Sequence, residues 1–171
     1  MSHKRALLRI SKVRKNREQE QLIDKLKKGL KKEEEYIEKC EEYDKDIDFV
    51  DNVNITFDDD LDVSAKTVNG EIFLNGKLFE EGDWADCMRY VLHEMVHVFQ
   101  QNAGKVKGKV DKDHYLDDKN EQEAFQAQIS YMADNESPEE LQQYLEQLLD
   151  HHDIKGKERK EKIKELTKDI Y

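Results

Sequence analysis

The chain has 171 residues, of which 40% are charged and 36% hydrophobic, and its formal net charge is −11. With a mean hydropathy of −1.01, it can form one domain with appendages and a small core. No apolar run approaches the roughly 18 residues of a membrane span, and the N-terminus lacks a signal-peptide core. We therefore expect a cytoplasmic protein. Cys40 and Cys87 are the only cysteines, so neither a disulfide framework nor a cysteine zinc site is expected.

The N-terminal segment is basic and the rest of the chain is acidic. Residues 1–32 hold 12 Lys or Arg and 3 Asp or Glu, a net charge of +9, which leaves −20 for residues 33–171. Residues 1–17 also carry one apolar stripe, formed by Leu7, Leu8, Ile10 and Val13. Such an arm can contact nucleic acid, an anionic membrane surface or the acidic body of its own chain. It has no aromatic residues that could stack on bases.

Residues 18–43 have the spacing of one long helix. Their apolar side chains lie near one face: Leu22, Ile23, Leu26, Leu30, Ile37, Cys40 and Tyr43. Three glutamates at residues 33–35 interrupt the heptads, so a coiled coil is not expected. We expect this helix to fold back on the domain as an antiparallel hairpin arm, and we assign residues 1–48 to an N-terminal unit of arm and helix.

Two segments predict a small antiparallel sheet. The first favours β-strand through Val50, Val53, Ile55 and Phe57. Aspartates at 58–60 and 62 follow in a spacing that lacks the glycine and final glutamate of a calcium loop, which indicates a solvated turn. The second segment, residues 64–78, places Asn69-Gly70 between apolar runs, a strong signal for a tight hairpin.

A core helix is predicted from residue 84 onward. Asp83 suits its N-cap and Asp86 lies in the first turn. Apolar residues recur at helical spacing, at Trp84, Met88, Val91, Met95 and Val98. The helix is therefore expected to be buried along one face.

This helix carries His93, Glu94 and His97 in the pattern HExxH. Imidazoles at positions i and i+4 project from the same face and can converge on one metal ion, while Glu94 can reach a water on that metal. The pattern is that of zinc peptidases. The alternative is two half-buried histidines bonded to backbone carbonyls. The apolar helix around the motif favours a metal site, and Cys87, on a different face, is not an expected ligand.

A catalytic zinc site normally takes three protein ligands and leaves the fourth position to water. A second helical run extends from residue 120 through Met132 and begins with the sequence NEQEA. Either Glu121 or Glu123 in this run can supply the carboxylate.

Together, HEMVH and NEQEA resemble the gluzincins, the zinc peptidases whose HExxH helix is joined by a glutamate from a following helix. Their pattern around that glutamate is two variable residues and then a small residue, often with asparagine before it, and NEQEA matches through the alanine. The resemblance covers roughly residues 50–135 and is nearest to small bacterial and phage HExxH proteins. It implies Glu121 as third ligand, with Glu123 as a supporting group or the alternative. The departure is Phe125, where the family often has an aspartate that orients a zinc-bound histidine.

The resemblance also implies an α+β fold. Its zincin-like core, residues 49–135, would combine the antiparallel sheet, the HExxH helix and the third-ligand helix. In gluzincins the strand before the motif helix borders the cleft and can pair with an extended substrate, and residues 71–74 are the candidate. An ordinary hairpin over the core is the alternative. Residues 102–118 read as a mobile loop at the cleft mouth. Of His114 and Tyr115 at its end, Tyr115 is the candidate oxyanion donor, with capping or packing as the alternative role.

The C-terminal segment, residues 136–171, predicts two more helices. Ser137 suits an N-cap, with Pro138 at the first helical position. An apolar stripe follows at Leu141, Tyr144, Leu145, Leu148 and Leu149. His151 and His152 come at the helix end, where they suit the helix dipole better than a shared metal. A charged helix is predicted for residues 157–170.

The predicted function is zinc-dependent hydrolysis of peptide bonds in an extended protein or peptide. Zinc would be held by His93, His97 and Glu121, Glu94 would transfer the proton, and Tyr115 would stabilise the oxyanion. One alternative is a weak or inactive module that binds a protein or nucleic-acid partner through residues 1–32. Another is a regulator that cleaves one specific protein, which the arm recruits.

Overall fold

The computed structural model describes residues 3–105, 112–168 and 170, which form a mostly helical α+β fold. The helices are α1 (His3–Leu30), α2 (Glu34–Glu42), α3 (Gly76–Glu80), α4 (Trp84–Asn102), α5 (Lys119–Asn135), α6 (Pro138–His151) and α7 (Gly156–Leu166). The strands are β1 (Ile55–Asp58), β2 (Ala65–Val68) and β3 (Glu71–Asn75). Short 3-10 helices cover Ile47–Asn52 and Lys112–Asp117. None of the described helices is long and apolar enough to cross a membrane.

Helix α4 lies at the centre of the core. It packs against α5, against β2 and β3, and against α1 and α2, and every residue from 91 to 100 is buried. The predicted N-cap is confirmed: Asp83 accepts a hydrogen bond from the backbone N–H of Asp86, and the Asp86 side chain accepts one from that of Asp83. This capping box starts the helix at Trp84 and so determines on which face of the helix the HExxH residues lie.

The sheet is mixed, so the predicted antiparallel sheet is wrong for one of its strands. The order is β1-β3-β2, with β2 antiparallel and β1 parallel to β3. Residues 59–64 carry the chain across the end of β3, where the Asn75 side chain donates to the carbonyls of Leu61 and Val63 at 2.8 and 3.1 Å. Because this crossing precedes the hairpin, β3 returns between its two neighbours. Strand alternation contains no signal for such pairing.

The Asn69-Gly70 hairpin is confirmed. Both residues have positive φ angles, 50° and 77°, as a two-residue type I′ turn requires. The strand predicted through Val50, Val53, Ile55 and Phe57 is shorter than expected. β1 begins only at Ile55, because Ile47–Asn52 forms a 3-10 helix. Asp46 caps that helix by accepting from the N–H of Asp48 at 3.0 Å.

The single helix predicted for residues 18–43 is wrong. α1 instead begins at His3 and ends at Leu30, and α2 begins at Glu34. The basic residues of the arm continue the helix because Lys and Arg are good helix formers. The glutamates at 33–35 mark the start of α2, where carboxylates favour the helix N-terminus.

Gly29 lets α1 approach α4 closely. A Cβ atom at this position would lie 2.7 Å from the Trp84 ring. The contact brings Leu26 and Leu30 into the core, where both are fully buried. The predicted N-terminal unit (1–48), the predicted zincin-like core (49–135) and the C-terminal segment (136–171) all contribute residues to this hydrophobic core.

The predicted start of α6 is confirmed, with Ser137 accepting from the N–H of Glu140 and Pro138 in the first turn. Its buried face consists of Leu141, Leu145 and Leu149. α7 spans Gly156–Leu166, so it ends before the predicted residue 170.

Candidate metal centre

Helix α4 presents His93 and His97 toward α5, and Glu121 of α5 meets both. The Nε2 atom of His93 lies 3.3 Å from Oε2 of Glu121, and that of His97 lies 3.2 Å from Oε1. The histidines are 6% and 7% exposed and Glu121 is fully buried. The two imidazoles and the carboxylate therefore enclose one small volume.

The spacing of these atoms suits zinc. Ligand atoms at 2.0–2.2 Å from a tetrahedral zinc ion lie about 3.3–3.5 Å apart, close to the observed separations. A second carboxylate is near, because ligand atoms of His93, Glu94 and His97 also lie within 4.8 Å of one another. Of the two acids, Glu121 fits the ligand position better, since one of its oxygens faces each imidazole.

The charges at the site stabilise one another. Burial alone would raise the pKa of Glu121, but hydrogen bonds from His93 and His97 outweigh burial and hold that pKa far below its ordinary value. Burial lowers the pKa of His97, yet the bond to Glu121 more than compensates, so the pKa is raised. Glu121 also lies in the first turn of α5, where its N–H donates to Asp118 at 3.0 Å and the helix dipole favours an anion. The His97 imidazole and the Glu121 carboxylate therefore favour opposite charges, and a proton or a metal cation can bridge them.

Gln100 orients His97. The Oε1 atom of Gln100 lies 2.8 Å from Nδ1 of His97. The Gln100 amide nitrogen donates to the Asn120 carbonyl at 3.0 Å and to Glu123 at 2.7 Å. Because both acceptors face that nitrogen, the amide oxygen must face His97, and Nδ1 carries the proton. Nε2 is then the atom directed at Glu121.

Gln128 orients the His93 ring in the same way. Its Oε1 atom lies 2.9 Å from Nδ1 of His93, and Gln128 is 1% exposed. Phe125 stands where the gluzincin pattern often has an aspartate, and it packs edge-on against the His93 ring at 4.6 Å between centroids. A glutamine one turn further along α5 therefore occupies the orienting position.

Glu123 is directed away from the histidines. Its carboxylate accepts from Lys39 at 2.8 Å and from Tyr43 at 2.7 Å, both from the N-terminal unit, as well as from Gln100. Burial raises the pKa of Glu123, but these three donors outweigh it and lower the pKa. Of the two carboxylates predicted as alternatives, only Glu121 contacts both imidazoles, and Glu123 supports Gln100.

Glu94 is held by strand β2. Its Oε2 atom accepts from the Thr67 hydroxyl at 2.7 Å, and the same hydroxyl lies 3.1 Å from the Glu94 carbonyl oxygen. The prediction that residues 71–74 line the cleft as its edge strand is wrong, because β3 pairs on both sides. Among the described strands, β2 is the edge beside the motif helix.

Tyr115 lines the cleft, and its hydroxyl donates to Oε2 of Glu121 at 2.8 Å. Burial and the charge of Glu121 raise its pKa, so the hydroxyl keeps its proton. The ring stacks on His152 at 5.2 Å between centroids. The His114 side chain and residues 106–111 of the predicted loop lie outside the described part of the structure.

A cleft of about 1150 Å³ opens beside His93 and Glu94. One wall comes from residues 62–65, at the start of β2, and the opposite wall from α6. The floor is the N-terminal half of α4, with Tyr115 and Phe125 beside His93. His93 and Glu94 of the motif helix therefore both line this cleft.

Sequence reasoning missed three residues of this site: Thr67, Gln100 and Gln128. Each acts by a hydrogen bond to a motif residue, and two of the bonds cross between elements. Glutamine on a helix and threonine in a strand are too common to be singled out. Only their distance from the motif side chains identifies them.

No protein-family model, curated protein or solved structure matches this chain. The resemblance to gluzincins and the zincin-like core thus remain predictions. The α+β class and the buried cluster of His93, Glu94 and His97 are structural findings.

Proposed function

We propose that the chain is a zinc-dependent peptidase that hydrolyses peptide bonds in an extended protein or peptide. One observation carries the proposal. The two Nε2 atoms converge on Glu121, while Gln100 and Gln128 occupy both Nδ1 atoms. This arrangement brings two imidazole nitrogens together at one carboxylate, with both rings oriented by a second layer of hydrogen bonds, as catalytic zinc sites have.

A bound zinc ion would supply a Lewis acid that lowers the pKa of water and polarises the scissile carbonyl. Glu94 is the residue that accepts the proton of the attacking water and passes it to the leaving amine. Thr67 supports this role because its hydroxyl binds Oε2 of Glu94 and limits the rotation of the carboxylate.

Tyr115 is the proposed donor to the oxyanion. Its hydroxyl keeps its proton, as its raised pKa requires, and it lies in the cleft beside His93. In the present arrangement it donates to Glu121, so this role requires the hydroxyl to exchange that carboxylate for the substrate oxygen. A Tyr115→Phe variant should therefore lower kcat more than it raises KM.

The substrate is proposed to add to the free edge of β2. Among the described strands, β2 pairs only with β3. The Thr67 carbonyl already accepts from the Gln101 side chain at 3.5 Å, and Ala65 is the β2 residue that lines the cleft. Backbone pairing at such an edge provides affinity without sequence preference, and selectivity then comes from the pockets along the cleft.

The experiment is a zinc measurement coupled to a proteolysis assay. Protein purified without added metal should contain about one zinc per chain, and this zinc should be lost in His97→Ala and in Glu121→Ala. Lys119→Ala is the matched control, because Lys119 is an exposed residue of the same first turn of α5. Glu94→Gln should keep the zinc and lose casein hydrolysis. Normal hydrolysis by Glu94→Gln would refute the mechanism, and folded protein without zinc would refute the site.

The basic arm supports a second proposal, a partner-binding role. Arg9, Lys12 and Arg14 of α1 are exposed, and residues 3–17 contain seven Lys or Arg and no acid. Lys15 is bound to the body, where it pairs with Glu80 at 2.8 Å. The remaining cations of this part of α1 are suited to a nucleic acid or an acidic protein.

A further inference from the structure

One end of the cleft is acidic. It lies where α4 begins, α5 ends and α6 begins, and Asp83, Asp86, Glu136 and Glu140 line it. Arg89 is the one Lys or Arg among the described residues that line the cleft. The five charges give this end a net charge of −3, which favours a cation.

Glu136 is the residue that points to a ligand. Its side chain is 4% exposed, it lines the cleft, and neither carboxylate oxygen has a hydrogen-bond partner among the described residues. Arg89 is the nearest cation: its Nη2, which is bound to Asp86, lies 3.5 Å from Oε1 of Glu136 in a long ion pair, and its Nε is also buried without a hydrogen-bond partner. Leaving a buried carboxylate without donors is costly, and a donor from outside the chain would remove that cost.

The electrostatic surroundings agree with this geometry. Burial raises the pKa of Glu136, Arg89 opposes the shift, and Glu140, Asp86 and Asp83 add to it. Arg89 therefore offsets only part of the negative potential at Glu136. A cationic group placed there would relieve the repulsion among these carboxylates.

We propose that this end of the cleft is a specificity site for a lysine or arginine side chain of the peptide substrate. Glu136 accepts the hydrogen bonds, and Glu140 and Asp86 add the attractive field. A side-chain shift of the kind common on binding opens the Glu136 oxygens to the incoming cation. The inference rests on the proposed peptidase function, because it concerns the substrate of that same cleft.

The site lies at a defined distance from the reaction centre. Asp86 and His93 are seven residues apart on α4, which corresponds to about 10 Å along the helix. An extended peptide advances about 3.3 Å per residue. The basic residue is therefore expected within about three positions of the scissile bond.

The test measures binding without cleavage. Zinc-loaded full-length Glu94→Gln is titrated with fluorescein-labelled eight-residue alanine-serine peptides, each with a single lysine at one position, and with their glutamine counterparts. Fluorescence anisotropy at low salt should show about tenfold tighter binding of the lysine peptide at the best position, the effect of a hydrogen bond to a charged group.

Three further substitutions, each added to Glu94→Gln, identify the residues that cause the preference for lysine. Glu136→Gln should abolish it, and Glu140→Gln, at an exposed position that tolerates the change, should reduce it several-fold. Glu139→Gln is the matched control: Glu139 is also in the first turn of α6 but does not line the cleft, and the preference should remain. If Glu136→Gln does not fold, Glu140→Gln against Glu139→Gln decides the question.

The outcomes separate this inference from the proposed function. Equal binding of the two peptides at every position, or no saturable binding of either, would overturn the specificity site, even if the wild type holds zinc and cleaves casein. A preference lost equally in Glu139→Gln and Glu140→Gln would also overturn it. A lysine preference that depends on Glu140, in a protein without zinc or proteolysis, would support the cation site and overturn the peptidase.

Discussion

Replacement of Gln128 by leucine tests whether the second layer of hydrogen bonds controls the candidate metal site. The change removes the acceptor that lies 2.9 Å from Nδ1 of His93, and leucine fills a similar buried volume. Both bonded groups are buried, so water cannot replace the lost partner. Loss of such a partner weakens metal binding about 10- to 100-fold, or about 1.4–2.7 kcal/mol. Burial at both ends places the expected loss in the upper part of this range.

The assay is a competitive zinc titration against a chelating dye of known affinity. Gln126→Leu is the matched control, because Gln126 is half-buried on the same helix and should leave the affinity unchanged. Gln128→Glu retains an acceptor for Nδ1 and should keep most of the affinity. Wild-type affinity in Gln128→Leu would refute the proposal that Gln128 orients His93 for metal binding.

Three further predictions concern the rest of the chain. Burial and the interaction with Asp134 raise the pKa of Glu35 to about 7 from 4.5. The folded state therefore favours the protonated form, and stability falls as pH rises between these values by about 3 kcal/mol. Glu35→Gln should recover much of this loss at pH 8 and change little at pH 4, as measured by urea unfolding; equal effects at both pH values would contradict the assignment. Gly29→Ala should stabilise a Trp84→Ala background by less than about 1 kcal/mol, because Gly29 lies in the last turn of α1 and the Met88 Cε atom still lies 3.0 Å from the new Cβ. It should give no such gain in the wild type, where the new Cβ meets the Trp84 ring, and a double-mutant cycle measures the difference. If the arm binds DNA, affinity should fall steeply with salt and disappear on deletion of residues 1–17; salt-independent binding would exclude this role for the arm.

Features set by nearby residues were predictable from the sequence. The capping box at Asp83 and Asp86, the Asn69-Gly70 turn and the start of α6 at Ser137 each depend on side chains within a few positions of the backbone they bind. The HExxH pattern is local in the same sense, because helical geometry alone places His93 and His97 on one face. Such signals remain readable without any knowledge of the fold.

Features that depend on distant contacts were not predictable. The parallel pairing of β1 follows from the crossing of residues 59–64 over the end of β3, and no alternation pattern records it. The glutamates at 33–35 interrupt the heptad pattern of the predicted helix, but in the structure they mark the start of α2. The helices that α2 packs against, α4 and α5, are remote in sequence. Gln100 matters only because Asn120 and Glu123 face its amide nitrogen. Each feature that the sequence did not predict depends on a contact between residues about a dozen or more positions apart.

The energetics of α4 argue for a bound cation over simple core packing. His93, Glu94, His97 and Gln100 are four buried polar residues of α4, in a stretch where every residue from 91 to 100 is buried. A buried ion pair of this kind is generally no more stabilising than apolar side chains of similar volume, because desolvation offsets the attraction. The chain nevertheless adds Gln128 from α5 and Thr67 from β2 to satisfy the cluster. Zinc binding free energy is coupled to folding, so a cation held between Glu121 and the two imidazoles would offset the cost of burying them. The same coupling predicts that zinc removal lowers the thermal midpoint of the wild type but leaves that of His97→Ala unchanged, and equal midpoints with and without chelator in the wild type would refute this account.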